Sequence, residues 1–269
     1  MIPLLKWVGG KRRLAAEIAS MLPARPKVYY EPFCGMGAVF CQMWNEGRIK
    51  RAVLGDANKA VTDFLTKVRD DPVDLLCDLY VLKQSYDEDG EGTYYGVRHL
   101  WNQGDRRPSF FALLCQAAFN GLWRESTAGN MNAPWGKYGS DSRGTPQAFN
   151  LYDEENILAW NRALADTEIR HETFEDSPVD ADCVYADPPY LGDHTKYHAG
   201  GFEEHQQRAL IYGLSDFPFA ALSNSQAAEP LVREIWPEAQ VTFLGRQDNM
   251  AGGLKGRRMR LEILARTPR

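Results

Sequence analysis

Apolar residues recur at helical spacing in the first part of the chain, where Leu14, Ile18, Met21 and Leu22 line one face of a helix that follows the Gly9-Gly10 turn. The short run Val28-Tyr29-Tyr30, ahead of Glu31-Pro32, has the length and character of a strand. Residues 38–44 predict a second helix, with Gly47 as a C-cap. Residues 51–56 predict a buried strand that ends in an acid, and Ala60, Val61, Phe64, Leu65 and Val68 form one face of the helix after it. The order so far is βαβα.

Between about residue 71 and residue 150 that alternation stops. Asp71-Pro72 opens a helix with a cap and an N1 proline, and further helices are expected around residues 94–101 and 110–119. A Gly/Asn/Pro-rich stretch follows over residues 120–138. From Ile169 onward the alternation resumes, with strands expected at residues 183–186, 219–223, 241–244 and 261–265. The pattern predicts an open α/β sheet interrupted by a mainly helical insertion. Ligands of such sheets bind at the carboxyl ends of the strands, and the motifs described below fall there.

Composition narrows the class. With 269 residues, 44% hydrophobic and 25% charged, the chain can bury a sizeable core, as one large domain or as a domain with an insertion. That excludes a disordered chain. No apolar run follows a basic start and no stretch of about 18 apolar residues occurs, so a cytoplasmic protein is expected. Cys34, Cys41, Cys77, Cys115 and Cys183 form no CxxC pair and lie among apolar neighbours, which predicts buried, reduced thiols and neither disulfide nor zinc. The net charge of −5 runs against the basic excess usual in nucleic-acid proteins. Locally the balance inverts: over residues 246–260, Arg246, Lys255, Arg257, Arg258 and Arg260 face the single acid Asp248. This stretch reads equally as a solvated loop or as a phosphate-tracking stripe.

Two constellations carry chemistry. Glu31-Pro-Phe-Cys-Gly-Met-Gly-Ala-Val-Phe40 places a Gly-x-Gly turn between a strand and a helix, where the backbone must turn sharply and approach a ligand without a Cβ in the way. Asp56, at the end of the next strand, is placed to accept both hydroxyls of a ribose. Phe40 stands where a dinucleotide fingerprint has its third glycine, so an NAD site fits only in part. Taken alone, Gly35-x-Gly37 suits an ordinary tight turn at least as well. The second constellation is an apolar strand that runs into Asp187-Pro188-Pro189-Tyr190. Two prolines remove two N–H donors and fix φ, leaving carbonyl acceptors beside a carboxylate and an aromatic face. A planar amino-heterocycle suits such a site: its NH2 donates to Asp187 and to the Pro188 carbonyl while Tyr190 stacks on the ring. A capped proline-rich turn explains the prolines but not the aromatic after them.

Taken in order, Leu5-Lys-Trp-Val-Gly-Gly-Lys11, Glu31-Pro-Phe-Cys-Gly-Met-Gly37, Asp56 and Asp187-Pro-Pro-Tyr190 resemble the motifs of the DNA adenine methyltransferase (Dam) family, the N6-adenine-specific D12 or alpha class, over most of the chain. The resemblance implies a Rossmann-like, S-adenosylmethionine-dependent methyltransferase sheet with helices on both faces. Residues 1–62 and 147–269 would form this catalytic domain, and residues 63–146 a target-recognition insertion with a β-hairpin. It implies S-adenosyl-L-methionine as cofactor, with Trp7, Lys11, Glu31, Phe33, Gly35, Gly37, Asp56 and Asp187 at its site and Phe33, Gly35 and Gly37 as the floor. By residue type alone, Trp7 is a core anchor and Lys11 a solvated helix residue. The shared Lys-Trp-x-Gly-Gly-Lys string turns both toward the cofactor, and Lys11 can meet the cofactor's carboxylate or steady Asp187. Catalysis falls to Asp187, Pro188, Pro189 and Tyr190.

The implied partner is double-stranded DNA, methylated at adenine N6 within a short site, GATC for Dam-like hairpins. The enzyme is expected to be monomeric, metal-independent and bacterial or phage-encoded. Phe119-Asn-Gly-Leu-Trp-Arg124 and Gly129-Asn-Met-Asn-Ala-Pro-Trp-Gly-Lys-Tyr138 resemble the family's DNA-reading hairpin. An adenine inside a duplex must be flipped to reach a buried methyl donor. Phe119 and Leu122 suit the wedge, Arg124 a bidentate contact with guanine, and Asn120, Asn132 and Pro134 phosphates or base edges. Lys255, Arg257 and Arg258 add phosphate contacts. Without the likeness, a surface hairpin with Phe119 and Trp123 packed inward is the preferred reading. Three alternatives stand beside this one: another acceptor (cytosine N4, RNA guanine or protein glutamine), whose enzymes tend to carry Ser or Asn in place of Asp187; an NAD-linked oxidoreductase, resting on Gly35-x-Gly37 and Asp56 alone; and a DNA-binding relative without catalysis, against which Asp187, Pro188, Tyr190 and Lys11 are all present.

Overall fold

The structure is a computed structural model that describes residues 1–136, 149–176, 179–191, 202–247 and 259–268. Its strands are β1 (Tyr29–Glu31), β2 (Ala52–Asp56), β3 (Thr167–His171), β4 (Cys183–Ala186), β5 (Ala220–Ser225), β6 (Gln240–Gln247) and β7 (Met259–Arg266). They form one sheet in the order β3-β2-β1-β4-β5-β7-β6. Strands β1 to β5 are parallel, and β7 inserts antiparallel between β5 and β6.

The helices are α1 (Ala15–Met21), α2 (Ala38–Asn45), α3 (Lys59–Asp70), α4 (Pro72–Glu88), α5 (Gly90–Asn102), α6 (Pro108–Ala117), α7 (Glu154–Leu164), α8 (Glu204–Leu214) and α9 (Glu229–Ile235). Successive strand residues point to opposite faces, and this divides the side chains between two cores. Tyr29, Leu54, Cys183 and Tyr185 join Ile18, Phe40, Phe64 and Trp160 on one face. Tyr30, Val53, Val184 and Ala186 join Leu210, Ile211 and Val232 on the other. Both faces are therefore covered, which is why the central strands read as continuous apolar runs. The α/β sheet expected from the sequence is the one observed.

The alternation does stop after α3, where α4, α5 and α6 follow one another without a strand among the described residues. Asp71 accepts from the Asp74 N–H, and Pro72 stands in the first turn of α4, as the Asp71-Pro72 pair predicts. Leu75, Leu79, Tyr94, Trp101 and Phe111 belong to the same core as Phe64 and Leu65 of α3, so these helices pack onto the sheet domain directly.

Some elements differ from the sequence pattern. β3 lies at the sheet edge and buries only Thr167 of its five residues, so it lacks the apolar run that marks β2 and β4. The helix expected over 110–119 ends at Ala117. Phe119–Gly121 forms a 3-10 turn instead, with Asn120 at a φ of 56°. Cys77 is exposed, unlike the other four cysteines. It shares the outer surface of α4 with Val73, Tyr80 and Val81, which are also exposed, so apolar neighbours in sequence did not make its position a buried one. No helix among the described residues is long and apolar enough to cross a membrane.

Candidate active site

Chain order reverses between the paired strands β1 and β4, and at such a switch point the loops diverge and leave a crevice. β1 ends at Glu31, β2 at Asp56 and β4 at Ala186, one residue before Asp187. Because these strands are parallel, their ends emerge at one edge.

The turn after β1 has Gly35 and Gly37 at φ 46° and 56°. The Gly35 N–H donates to Asp56 Oδ2 at 2.9 Å, and the Cys34 N–H donates to the Gly55 carbonyl at 2.9 Å. These bonds stitch the turn to the end of β2. Asp56 Oδ1 accepts from the Asn58 N–H at 2.8 Å, which leads the chain into α3. A Cβ on Gly35 would lie 2.8 Å from Cδ1 and Nε1 of Trp7, so the indole rests directly on the turn. Behind it stand Phe111 and Trp123, with ring centroids at 5.8 and 6.3 Å. Gly37 borders the core instead: a Cβ there would meet Trp160 at 2.8 Å. Phe33 packs with Phe174 and Phe202 at 5.7 and 5.6 Å, against the second core.

Lys11 and Asp187 are 176 residues apart in sequence and meet here. Lys11 Nζ lies 2.7 Å from each Asp187 carboxylate oxygen, 2.9 Å from the Gly9 carbonyl and 4.8 Å from the Tyr190 ring centroid. Lys11 is only 4% exposed, and a charge so enclosed needs such partners. Tyr190 donates its hydroxyl to Glu262 Oε2 at 2.8 Å. Burial, with Asp187 and Glu262 nearby, holds this phenol well above its ordinary value, so it stays a neutral donor. The Pro189 carbonyl accepts from Gln207 Nε2 at 2.7 Å.

Glu31 is buried and accepts from the Tyr29 hydroxyl at 2.6 Å and the Phe40 N–H at 2.7 Å. Burial outweighs these two bonds and, helped by the charge of Asp187, raises the carboxyl to about 8. Since the folded value lies above the unfolded one, stability is full below about 4.5 and is lost as pH rises through about 8. Glu31→Gln, which keeps the shape without the charge, is therefore expected to lose less stability than the parent across this range. The difference should reach a few kcal/mol, on the order of 1.4 per pH unit traversed. Urea midpoints of the two proteins at each pH measure it, and parallel curves refute it.

The two segments likened to a hairpin do pair. Ala118 with Trp135 and Glu125 with Met131 form antiparallel bridges, and the Asn132 N–H donates to the Arg124 carbonyl at 3.0 Å. Trp123 is 2% exposed and Phe119 54%, so one aromatic anchors the hairpin while the other stands outside. Asn120, Arg124, Asn132 and Pro134 are exposed and Leu122 is half-buried. Arg124 donates from Nε to Asn132 Oδ1 at 2.6 Å and from Nη2 to the Asn132 carbonyl at 3.0 Å. Lys255, Arg257 and Arg258 lie outside the described residues.

Residues 7–249 match the family described as D12 class N6 adenine-specific DNA methyltransferase. The chain belongs to that family. This methyltransferase is 30% identical over 206 residues to the type II methyltransferase M.MjaIII of Methanocaldococcus jannaschii, across 70% of this chain and 68% of that one. It is 26% identical over 260 residues to the type II methyltransferase M1.LlaDCHI of Lactococcus lactis subsp. cremoris, across 89% and 86% of the two chains. With the DNA adenine methylase of Escherichia coli K12 it shares 29% identity over 218 residues, 77% of this chain and 73% of that one. Its reaction is adenine methylation of DNA. Among the described residues, no group of His, Cys, Asp or Glu is placed to hold a metal ion.

Sequence reasoning passed over three residues beside the methyltransferase's Asp187-Pro-Pro-Tyr190 turn. Asn224 and Gln207 are both 0% exposed; Asn224 stands near the carboxyl end of β5, the edge from which Asp187 also emerges. Glu262 is buried within the apolar strand β7. An acid at such a position is rare unless it is paired, and that was the available signal.

Proposed function

We propose that the methyltransferase takes its methyl group from S-adenosyl-L-methionine and delivers it to N6 of an adenine flipped out of duplex DNA, within the site GATC. The observation that carries this reading is the Lys11–Asp187 pair at the carboxyl edge of the sheet, with Tyr190 in reach of the same ammonium. The surrounding residues fit the cofactor. Asp56 presents a fixed carboxylate for a ribose diol, Gly35 leaves the backbone beside Trp7 bare of a Cβ, and Lys11 offers a cation for a carboxylate. Glu31, Phe33 and Gly37 are proposed to complete the surround from the same turn, Gly37 through its backbone, since its missing Cβ would face Trp160. When bound, S-adenosylmethionine supplies an electrophilic sulfonium methyl.

The adenine amine is a weak nucleophile because its lone pair is delocalised into the ring. Asp187 and the Pro188 carbonyl accept its two hydrogens, which favours a pyramidal nitrogen and stabilises the positive charge that builds on it. Pro188 and Pro189 keep N–H donors out of the turn. Tyr190 offers its ring for stacking, held at its edge by Glu262. The methylated amine is acidic enough to release its proton afterwards, so Asp187 serves as an acceptor and orienter rather than as a strong base.

Residues 63–146 are proposed as the DNA-reading insertion on a catalytic domain of residues 1–62 and 147–269. Phe119 is the wedge that replaces the flipped base, with Leu122 beside it, and Arg124 reads a guanine. Asn120, Asn132, Pro134, Lys255, Arg257 and Arg258 contact the groove and backbone. Every group comes from one chain, so a monomer suffices, acting on DNA in a bacterial or phage-infected cytoplasm. Arg124→Ala is expected to narrow the preference for GATC over a site changed at one guanine by about 1–3 kcal/mol, seen as the ratio of kcat/KM on the two duplexes. An unchanged ratio removes Arg124 from the readout. The reading as a whole is tested with tritiated S-adenosylmethionine and unmethylated DNA. N6-methyladenine confined to GATC supports it, whereas label at another site or on another base refutes it.

A further inference from the structure

Behind the Asp187–Tyr190 turn lies a buried chain of amides that the transfer chemistry does not touch. Gln207, on α8, and Asn224, on β5, are each 0% exposed. Asn224 Nδ2 donates to Gln207 Oε1 at 2.9 Å, and Gln207 Nε2 donates to the Pro189 carbonyl at 2.7 Å. Asn224 Oδ1 accepts from the N–H groups of Leu191 and Ser225 at 3.1 and 2.8 Å, and the Ser225 hydroxyl donates to the Leu191 carbonyl at 2.8 Å. Between the amides donation runs from β5 through α8 to the Pro189 carbonyl, and the Leu191 N–H closes the circuit by donating back to Asn224.

Consecutive prolines have no N–H, so such a turn cannot be held through its own donors. It must be held by its carbonyls and by N–H groups beyond the prolines, and the amides take one of each, the Pro189 carbonyl and the Leu191 N–H. Pyrrolidine rings fix φ at both positions, so anchoring the second carbonyl constrains the direction of the first. A satisfied buried network selects one geometry and holds it. We propose that Gln207, fixed by Asn224, is a positioning residue for methyl transfer: it ties down the Pro189 carbonyl and thereby aims the Pro188 carbonyl and the Asp187 carboxylate at the adenine amine. This rests on the reading above that those two groups accept the N6 hydrogens.

Gln207→Met keeps an unbranched side chain of similar length in α8 and removes the donor. Asn224→Ala leaves Gln207 in place and releases its oxygen. Three quantities separate positioning from simple support: the single-turnover rate with cofactor and DNA saturating, the Kd for each, and the fluorescence of 2-aminopurine at the target position. The expected result is a rate lowered about 10- to 100-fold in Gln207→Met and less in Asn224→Ala, with both Kd values within about threefold and the flipping signal retained, as a misaligned near-attack geometry gives. The idea is overturned if folded variants transfer at the parent rate, or if the rate recovers fully once weaker binding is saturated. Should Gln207→Met fail to fold, Asn224→Ala decides by the same criteria. A parent enzyme that leaves no N6-methyladenine in DNA would instead sink the functional reading, which the same assay shows before any variant is compared.

Discussion

Asp187→Ala is expected to lower the single-turnover rate of methyl transfer by about 10³-fold or more while DNA binding persists. Removing one group that stabilises developing charge typically costs about 10²–10³ in rate, and Asp187 is also proposed as one of the two acceptors that orient the amine. The same change strips Lys11 of its anion. With Lys11 only 4% exposed, its ammonium would keep the Gly9 carbonyl at 2.9 Å and little else that offsets the charge. Breaking a buried pair from one side costs about 3–5 kcal/mol, so a fall in Tm should accompany the loss of activity. Asp187→Asn keeps the shape and one acceptor oxygen but turns an NH2 toward Lys11, so an intermediate rate is expected. Rapid-quench transfer assays with thermal melts distinguish these effects. A rate within tenfold of the parent in the alanine variant would remove Asp187 from the centre of the mechanism.

The second large effect is expected at Gly35. Its φ of 46° places it in the left-handed region, which costs a side-chain-bearing residue about 1–2 kcal/mol. The added Cβ would also stand 2.8 Å from the Trp7 ring. Phe111 and Trp123 back that ring, so it cannot retreat, and overpacking of this kind costs about 1–3 kcal/mol. Gly35→Ala should therefore destabilise the turn by about 2–5 kcal/mol and disturb the Gly35–Asp56 bond. In a calorimetric titration, cofactor binding should weaken by one to three orders of magnitude, at about 1.4 kcal/mol per tenfold. Gly9 is the internal control: its φ is 76°, but nothing lies within 4 Å of its missing Cβ, so alanine there meets backbone strain alone. Native cofactor affinity in Gly35→Ala would place the Trp7 face of the turn away from the cofactor.

The elements that could be read from the sequence were those whose burial leaves a local trace. β2 and β4 bury every residue and read as apolar runs; α3 and α4 carry their caps and periodic faces in neighbouring positions. β3 was obscure because an edge strand buries little. At the site, Gly35, Asp56, Asp187 and Tyr190 were legible because each belongs to a short motif at a strand end. Glu262, Gln207 and Asn224 were not, since their role appears only once β5, β7 and α8 are folded against the turn. The hairpin was legible as a pair of segments, but which aromatic turned inward was not. Trp123 is claimed by Trp7, Phe111 and Trp101, contacts that no spacing within residues 119–138 encodes.

The antiparallel placement of β7 between β5 and β6 ties the site to a ribbon at one end of the sheet. β6 pairs with β7 over eight positions, whereas β7 meets the parallel strands only through five positions of β5. Loss of the β5–β7 pairing would release β6 and β7 as one ribbon, and Glu262 with them. Such a partial opening requires less free energy than global unfolding. Tyr190 would lose its acceptor while the rest of the sheet stayed closed, so inactivation by mild denaturant should run ahead of the loss of far-UV signal.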